Sequence, residues 1–164
     1  MMLGGLTSFA EPWATFFSDH AVVRTGVTFA HLGGLLLAGG LAVANDRTIL
    51  RTRRAPDTER PVRLQDLRAA HSQVIAGLGV VLLSGLLLFL ADLETYLTSW
   101  IYWTKMVLVV TLLRNGVLLR RAAQAVEGDP ELDTGWRLLR RRATASLSLW
   151  VAITMMGTAL INLA

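Results

Sequence analysis

The distribution of apolar residues constrains this chain more than any other feature of its sequence. Apolar residues make up 53% of the 164 residues, and they are concentrated in four blocks at about 20–44, 69–91, 100–119 and 143–164. Each block reaches or exceeds the ~20 residues that a helix needs to cross a ~30 Å hydrocarbon layer. The sequence therefore predicts an all-α integral membrane protein, in which residues 1–164 form a single domain, an antiparallel four-helix bundle.

The charged residues between the blocks predict the orientation of the bundle. Residues 45–68 contain seven arginines and residues 120–142 contain six, whereas the stretch before His20 and the connection 91–99 carry only acidic charges. Cytoplasmic loops of membrane proteins are enriched in Lys and Arg. We therefore expect both arginine-rich loops to be cytoplasmic and both chain termini to lie outside.

Aromatic residues near the N-terminus predict a short interfacial segment on the outer side. Phe9, Trp13, Phe16 and Phe17 lie close together before the first apolar block. Aromatic rings favour the head-group layer of a membrane.

Several functional classes are disfavoured. The chain has no cysteine, so thiolate metal sites, iron–sulfur clusters and cysteine nucleophiles are excluded. Most of its basic residues, 13 of 16, lie in the two loops between apolar blocks, which argues against nucleic acid as a partner. No paired carboxylates, nucleophile–base arrangement or phosphate-binding loop lies within the apolar blocks, so we expect no enzymatic activity.

Small residues in the first block predict a close helix crossing. Gly26, Ala30, Gly34, Ala38 and Ala42 recur every four residues. Helices in a bilayer associate through small residues that let their backbones approach. We expect this stripe, widened by three further glycines, to contact a neighbouring helix; these are Gly33, Gly39 and Gly40.

His31 is the leading functional candidate because it lies near the middle of the first block. Arg24, His31 and Ala38 are seven residues apart, so they share one helix face. His31 is therefore predicted to point into the bundle. Two interpretations stay open: a neutral imidazole bonded to a hydroxyl or a backbone carbonyl, or a ligand of a metal or cofactor.

Two cations are predicted near the outer side of the bundle, Arg24 and Lys105. Snorkelling or pairing with Asp19, Asp92 or Glu94 explains both, and binding of an anion or a quinone head group is the functional alternative.

Three polar residues are predicted nearer the inner side. Arg114 and Asn115 lie about 7 Å inward of the centre of the third block, and His71 lies near the inner interface, where we expect it close to them.

Haem and copper are the two cofactors that His31 suggests. A bis-histidine haem requires a partner at the same depth, and His71 lies roughly 15 Å away along the helix axes. A haem held by His31 and Met155 or Met156 stays possible. Imidazole and thioether together also favour Cu(I), which gives a candidate site of His31 with Met155 or Met156, and less surely Met106.

An ordered set of motifs resembles the four-helix core of the copper-resistance protein D family. The set comprises His31-Leu32, Ala38-Gly39-Gly40-Leu41, Leu83-Ser84-Gly85-Leu86, Trp103-Thr104-Lys105-Met106 and Arg114-Asn115. In this resemblance His31 matches the first-helix histidine of the family and Lys105 its third-helix lysine. It implies a multi-pass protein of the bacterial inner membrane that handles copper with a periplasmic partner. The chain departs from the family in lacking the tryptophan before the paired glycines and the additional helices of longer members.

Three functions therefore stay open. The chain is predicted to bind or move copper, to carry electrons on a b-type haem, or to serve as a non-catalytic accessory or assembly subunit. The small-residue face would support the third function by packing against a membrane-complex partner or a second copy of the chain.

Overall fold

The computed structural model describes residues 2–52, 60–129 and 133–163, and the side chains of residues 7–51, 72–129 and 133–162. The described residues form six α-helices and no strand: α1 (Met2–Asp19), α2 (Ala21–Thr52), α3 (Arg60–Ala91), α4 (Leu93–Thr98), α5 (Trp100–Gly128) and α6 (Asp133–Leu163). The all-α prediction is confirmed.

The long helices extend beyond the apolar blocks. α2 continues to Thr52 and α3 begins at Arg60, so the predicted loop 45–68 is largely helical, and the predicted loop 120–142 is likewise mostly α5 and α6. Arg, Leu and Ala are strong helix formers. The apolar blocks therefore did not predict where the helices begin and end.

Polar caps set the boundaries of the short connection between α3 and α5. The Asp92 carboxylate accepts a hydrogen bond from the Thr95 N–H at 3.3 Å, and the Ser99 hydroxyl accepts one from the Tyr102 N–H at 3.4 Å. Such side chains satisfy backbone donors that the first turn of a helix leaves unpaired. The connection 91–99 therefore contains a short helix, α4, and is not an irregular loop.

The four long helices pack as two hairpins. α2 packs along α3, and α5 packs along α6; α2 and α6 join the hairpins, whereas α3 and α5 share few contacts. The helices are thus arranged in the order α3–α2–α6–α5. α1 lies mainly against α3, where the Trp13 indole N–H donates to the Leu87 carbonyl at 2.8 Å.

Three of these helices have the length and composition to cross a membrane: Ala21–Arg51, Ser72–Ala91 and Asp133–Asn162. Large apolar side chains stand exposed on them, including Leu36, Leu82 and Val151. Such continuous apolar surface is typical of helices that face lipid. α5 is not among the three helices, and it carries Lys105, Arg114 and Asn115 among its apolar residues.

Only part of the predicted small-residue stripe makes a close contact. A Cβ placed on Gly34 would lie 3.0 Å from Val81 Cγ2, and one placed on Gly77 would lie 2.9 Å from Ala38 Cβ. Gly34 and Ala38 therefore let α2 approach α3 closely.

The remaining glycines of α2 behave differently from one another. A Cβ on Gly26, Gly33 or Gly40 would meet nothing within 4 Å, so the predicted packing role of these three is wrong. Gly39 instead faces α6, where a Cβ would lie 3.1 Å from the Trp150 ring. The face of α2 that approaches α3 is narrower than the sequence spacing indicates.

Two buried clusters hold the hairpins together. One consists of Leu112, Trp150 and Ile153. The other lies near the arginine-rich ends of α2, α5 and α6, and it consists of Ile49, Ala122, Val126, Trp136, Leu139 and Ala143. The helical extensions beyond the apolar blocks therefore have a core of their own.

Candidate ligand site around His31 and Lys105

The His31 imidazole is fixed by α3. Its Nδ1 lies 3.1 Å from the Val81 carbonyl oxygen and 3.2 Å from the Ser84 hydroxyl oxygen. His31 thus lies on the same side of α2 as Ala38, as the heptad spacing predicts, and it contacts the α2–α3 interface rather than lipid alone.

The hydrogen bonds around Ser84 determine which imidazole nitrogen carries the proton. The Ser84 hydroxyl donates to the Val80 carbonyl at 2.6 Å, so its oxygen is left to accept from His31. The Val81 carbonyl can only accept. Nδ1 therefore carries the proton in the neutral ring, and the lone pair of Nε2 is free for a ligand.

Lys105 of α5 reaches the same region from the opposite hairpin. Its Nζ would lie 3.7 Å from a Cβ placed on Gly157, so the ammonium packs over the backbone of α6. It is close enough to His31 for its charge to act on the imidazole. Among the described residues, no carboxylate lies close enough to interact with it. The expected pairing of Lys105 with Asp19, Asp92 or Glu94 is therefore not found.

Each of the two residues contacts the other helix of its own hairpin. α2 contributes His31, α3 contributes Ser84 and Gly85, α5 contributes Lys105 and α6 contributes Gly157. A Cβ on Gly85 would lie 3.1 Å from His31 Cε1, so a glycine there leaves room for the ring. By the helical rise of ~1.5 Å per residue, His31 lies roughly 15 Å from the beginning of α2 and Lys105 roughly 7 Å from the beginning of α5.

The three candidate methionines differ in their exposure. Met155 is 62% exposed on the surface of the bundle, which is contrary to its predicted role as a ligand of a central metal. Met106 and Met156 are half-buried. Within the described part of the chain, no group of three or more His, Asp or Glu side chains is arranged to hold a metal ion.

The other polar residues predicted within the membrane have separate roles. The Arg24 guanidinium is exposed and donates to the Ser18 carbonyl at 2.9 Å rather than pairing with a carboxylate. Asn115 is buried, and its amide donates to the Arg142 carbonyl at 2.9 Å, which links α5 to α6. Arg114 is exposed. The side chain of His71 lies outside the described side chains.

A cleft of about 400 Å³ lies between α1 and the α3–α4 turn. Its lining includes Glu11, Asp92 and Glu94 and contains no histidine. The cleft is lined by the middle of α1, the end of α3 and the beginning of α4, and neither His31 nor Lys105 contributes to it. It is therefore separate from the His31 site.

Sequence reasoning missed one buried polar residue, Asp46. The hydropathy pattern places it in a loop, but it lies on α2, is only 1% exposed and bonds the Ser146 hydroxyl. Its Oδ2 is buried without a hydrogen-bond partner, and so is Nε of Arg140. The i, i+3 spacing of Asp46 and Ile49 was the available signal, since Ile49 belongs to the cluster at the arginine-rich end.

Comparison of the chain with protein-family models, with curated proteins and with solved structures finds no match in any of the three.

Proposed function

We propose that this chain is a non-enzymatic, multi-pass protein of the bacterial inner membrane that binds a metal through Nε2 of His31. Four spans, formed by α2, α3, α5 and α6, would place both termini outside and both arginine-rich turns in the cytoplasm. The observation that supports the metal site is the hydrogen bonding of Nδ1 to α3. Metal-binding histidines commonly donate their second ring N–H to a carbonyl or carboxylate, which orients the ring and increases the basicity of the ligating nitrogen.

Copper is the first candidate metal. It is the metal that the resemblance to the copper-resistance protein D family implies, with a periplasmic partner that delivers or accepts it. An imidazole combined with a thioether favours Cu(I). Met106 and Met156 are the methionines whose partial burial suits such a role.

A b-type haem is the second candidate, because a haem site tolerates the loss of Met155 as a ligand better than a copper site does. Because Met155 is exposed, the thioether ligands expected for a copper site are fewer than the sequence predicted. Haem iron can be held in a protein by a single histidine. His31 alone would then supply the protein ligand.

Removal of the imidazole tests the proposal. The protein purified in detergent is expected to retain copper or iron per chain, measured by elemental mass spectrometry, and His31→Ala is expected to lose it. His20→Ala is the matched control, since His20 is exposed and stacks on Phe16. Equal metal content in wild type and His31→Ala after loading with Cu(I) or haem would overturn the proposal and favour an accessory or assembly subunit.

A further inference from the structure

The face of α5 that points away from the bundle carries two exposed arginines among apolar side chains. We propose that Arg114 and Arg121 together bind the phosphate of an anionic phospholipid from the cytoplasmic leaflet, whose acyl chains lie along the exposed valines of the same helix. This inference rests on the proposed crossing of the membrane by α5, and it does not depend on a metal at His31.

The first observation is that the two arginines share one face of α5. They are seven residues apart, which places them roughly 10 Å apart along the axis with only about 20° between their directions. Both are exposed. Among the described residues, α5 packs almost entirely against α6, and its buried side chains lie on the other side of the helix, at Leu112, Ala122 and Val126.

The second observation is that apolar surface adjoins the two charges. Val107, Val110 and Val117 of α5 are each more than half exposed. A phospholipid offers the matching combination, since its acyl chains cover apolar side chains while its phosphate binds guanidinium groups in a bidentate way. A soluble anion would leave the valines uncovered. The composition of this face therefore favours a lipid over a free ion.

The third observation is that the two charges are not neutralised within the protein. Among the described residues, neither guanidinium forms an ion pair or a hydrogen bond. Arg114 lies within the apolar block 100–119, five residues before its end, whereas Arg121 lies just beyond that end. A cation within hydrocarbon is costly unless it is paired or reaches the interface. Arg114 therefore requires either a partner or a path to the head groups.

The direction of α5 makes that path unfavourable. The Cα–Cβ bonds of an α-helix tilt towards its N-terminus, and in the proposed topology the N-terminal end of α5 is the outer end. The side chain of Arg114 therefore starts towards the centre of the membrane rather than towards the cytoplasmic head groups. Arg121 starts in the same direction from the interface, and so towards the level of Arg114. A phosphate drawn in between these two levels can contact both guanidinium groups.

The test compares two phospholipids with the same acyl chains, phosphatidylglycerol and phosphatidylcholine. Wild-type protein in detergent is titrated with each lipid, and the lipids bound per chain are counted by native mass spectrometry. Wild type is expected to bind phosphatidylglycerol about tenfold more tightly, the effect of one charge-assisted contact. Arg114→Gln is expected to abolish this preference and Arg121→Gln to reduce it, whereas Arg114→Lys is expected to keep part of it.

Arg120→Gln is the matched control. Arg120 is exposed and adjacent to Arg121 in the sequence, so the substitution removes the same charge at nearly the same depth. It lies about 100° away from Arg121 around the helix, and its loss is expected to leave the preference unchanged. Circular dichroism and size-exclusion chromatography verify that each variant is folded.

Three results would overturn the inference. The first is equal binding of the two lipids to wild type. The second is an equal loss of preference in Arg114→Gln and Arg120→Gln, which would indicate attraction to net charge alone. The third is displacement of phosphatidylglycerol by an excess of inorganic phosphate, which would indicate a site for the free anion.

None of these results alters the measurements that test the proposed function. The metal content of His31→Ala is measured without added lipid, and the membrane crossing of α5 is measured by labelling single cysteines on either side of it. Failure of the lipid site with His31-dependent metal and a confirmed crossing would therefore overturn this inference alone.

Discussion

At the scale of single residues, the buried carboxyl of Asp46 carries the clearest energetic cost. Its Oδ2 is buried and has no hydrogen-bond partner, whereas Ser146 satisfies part of the group. A buried polar atom without a partner costs about 1–3 kcal/mol. This residue therefore lowers the stability of the interface between α2 and α6 unless its charge is compensated.

Substitution of Asp46 tests that cost. Asp46→Asn retains an oxygen for the Ser146 hydroxyl and removes the buried charge, but it places an unpaired NH2 where Oδ2 lies, so its unfolding free energy is expected to change by less than about 1 kcal/mol. Asp46→Ala removes the hydrogen bond as well and leaves Ser146 buried without its partner, so stability is expected to fall by about 1–3 kcal/mol. Thermal unfolding in detergent measures both. A loss in Asp46→Asn as large as that in Asp46→Ala would mean that the charge itself stabilises the fold.

At the scale of helices, the close approach of α2 and α3 depends on two small positions. Gly34 meets Val81, and Gly77 meets Ala38, at distances that leave no room for a longer side chain. Without a hydrophobic effect between helices in lipid, such packing is a main source of association. The α2–α3 hairpin is therefore sensitive to side-chain size at these positions and insensitive one residue away.

Neighbouring glycines of α2 provide a matched pair of variants. Gly34→Leu is expected to lower the melting temperature in detergent clearly, because the branched side chain would overlap Val81. Gly33→Leu has open space around it and is expected to leave the melting temperature nearly unchanged or to raise it, since glycine is a poor helix former. Equal effects of the two substitutions would contradict the assignment of the close face.

The same helices show what sequence could and could not predict. The long apolar blocks predicted the long helices, and the spacing of His31 and Ala38 predicted the side of α2 that faces the bundle. The prediction that the four-residue stripe contacts a neighbouring helix was only partly confirmed. Gly34 and Ala38 lie close to α3, whereas a Cβ on Gly26 would have no atom within 4 Å. The burial of Asp46 was missed because the hydropathy pattern predicts that the first span ends where polar residues begin. In the structure, α2 and its buried face continue beyond that point.

The convergence of Lys105 with His31 could not be read from the sequence. The two residues lie on different hairpins, 74 positions apart in the chain, and their proximity depends on how α2 packs against α6.

At the scale of the whole molecule, the orientation of the chain can be measured with single cysteines, because the natural sequence has none. Glu94→Cys and Gln124→Cys lie at exposed positions on either side of the central part of α5. In spheroplasts, a membrane-impermeant thiol reagent is expected to label position 94, and to label position 124 only after permeabilisation.

That experiment also tests whether α5 spans the membrane. Labelling of both positions from outside would exclude α5 as a span and the predicted topology with it. Ser18→Cys and Arg51→Cys, at exposed positions near opposite ends of α2, provide the corresponding control across a helix that has the length and composition of a span.

The arrangement of the hairpins has a consequence for the energetics of ligand binding. α3 and α5 share few contacts, so the two halves of the bundle are joined mainly along α2 and α6. A molecule that contacts both hairpins would link the two halves. A ligand that binds only the assembled bundle increases the free energy needed to separate the hairpins. An occupied site of this kind would therefore stabilise a bundle whose two hairpins are otherwise joined mainly through α2 and α6.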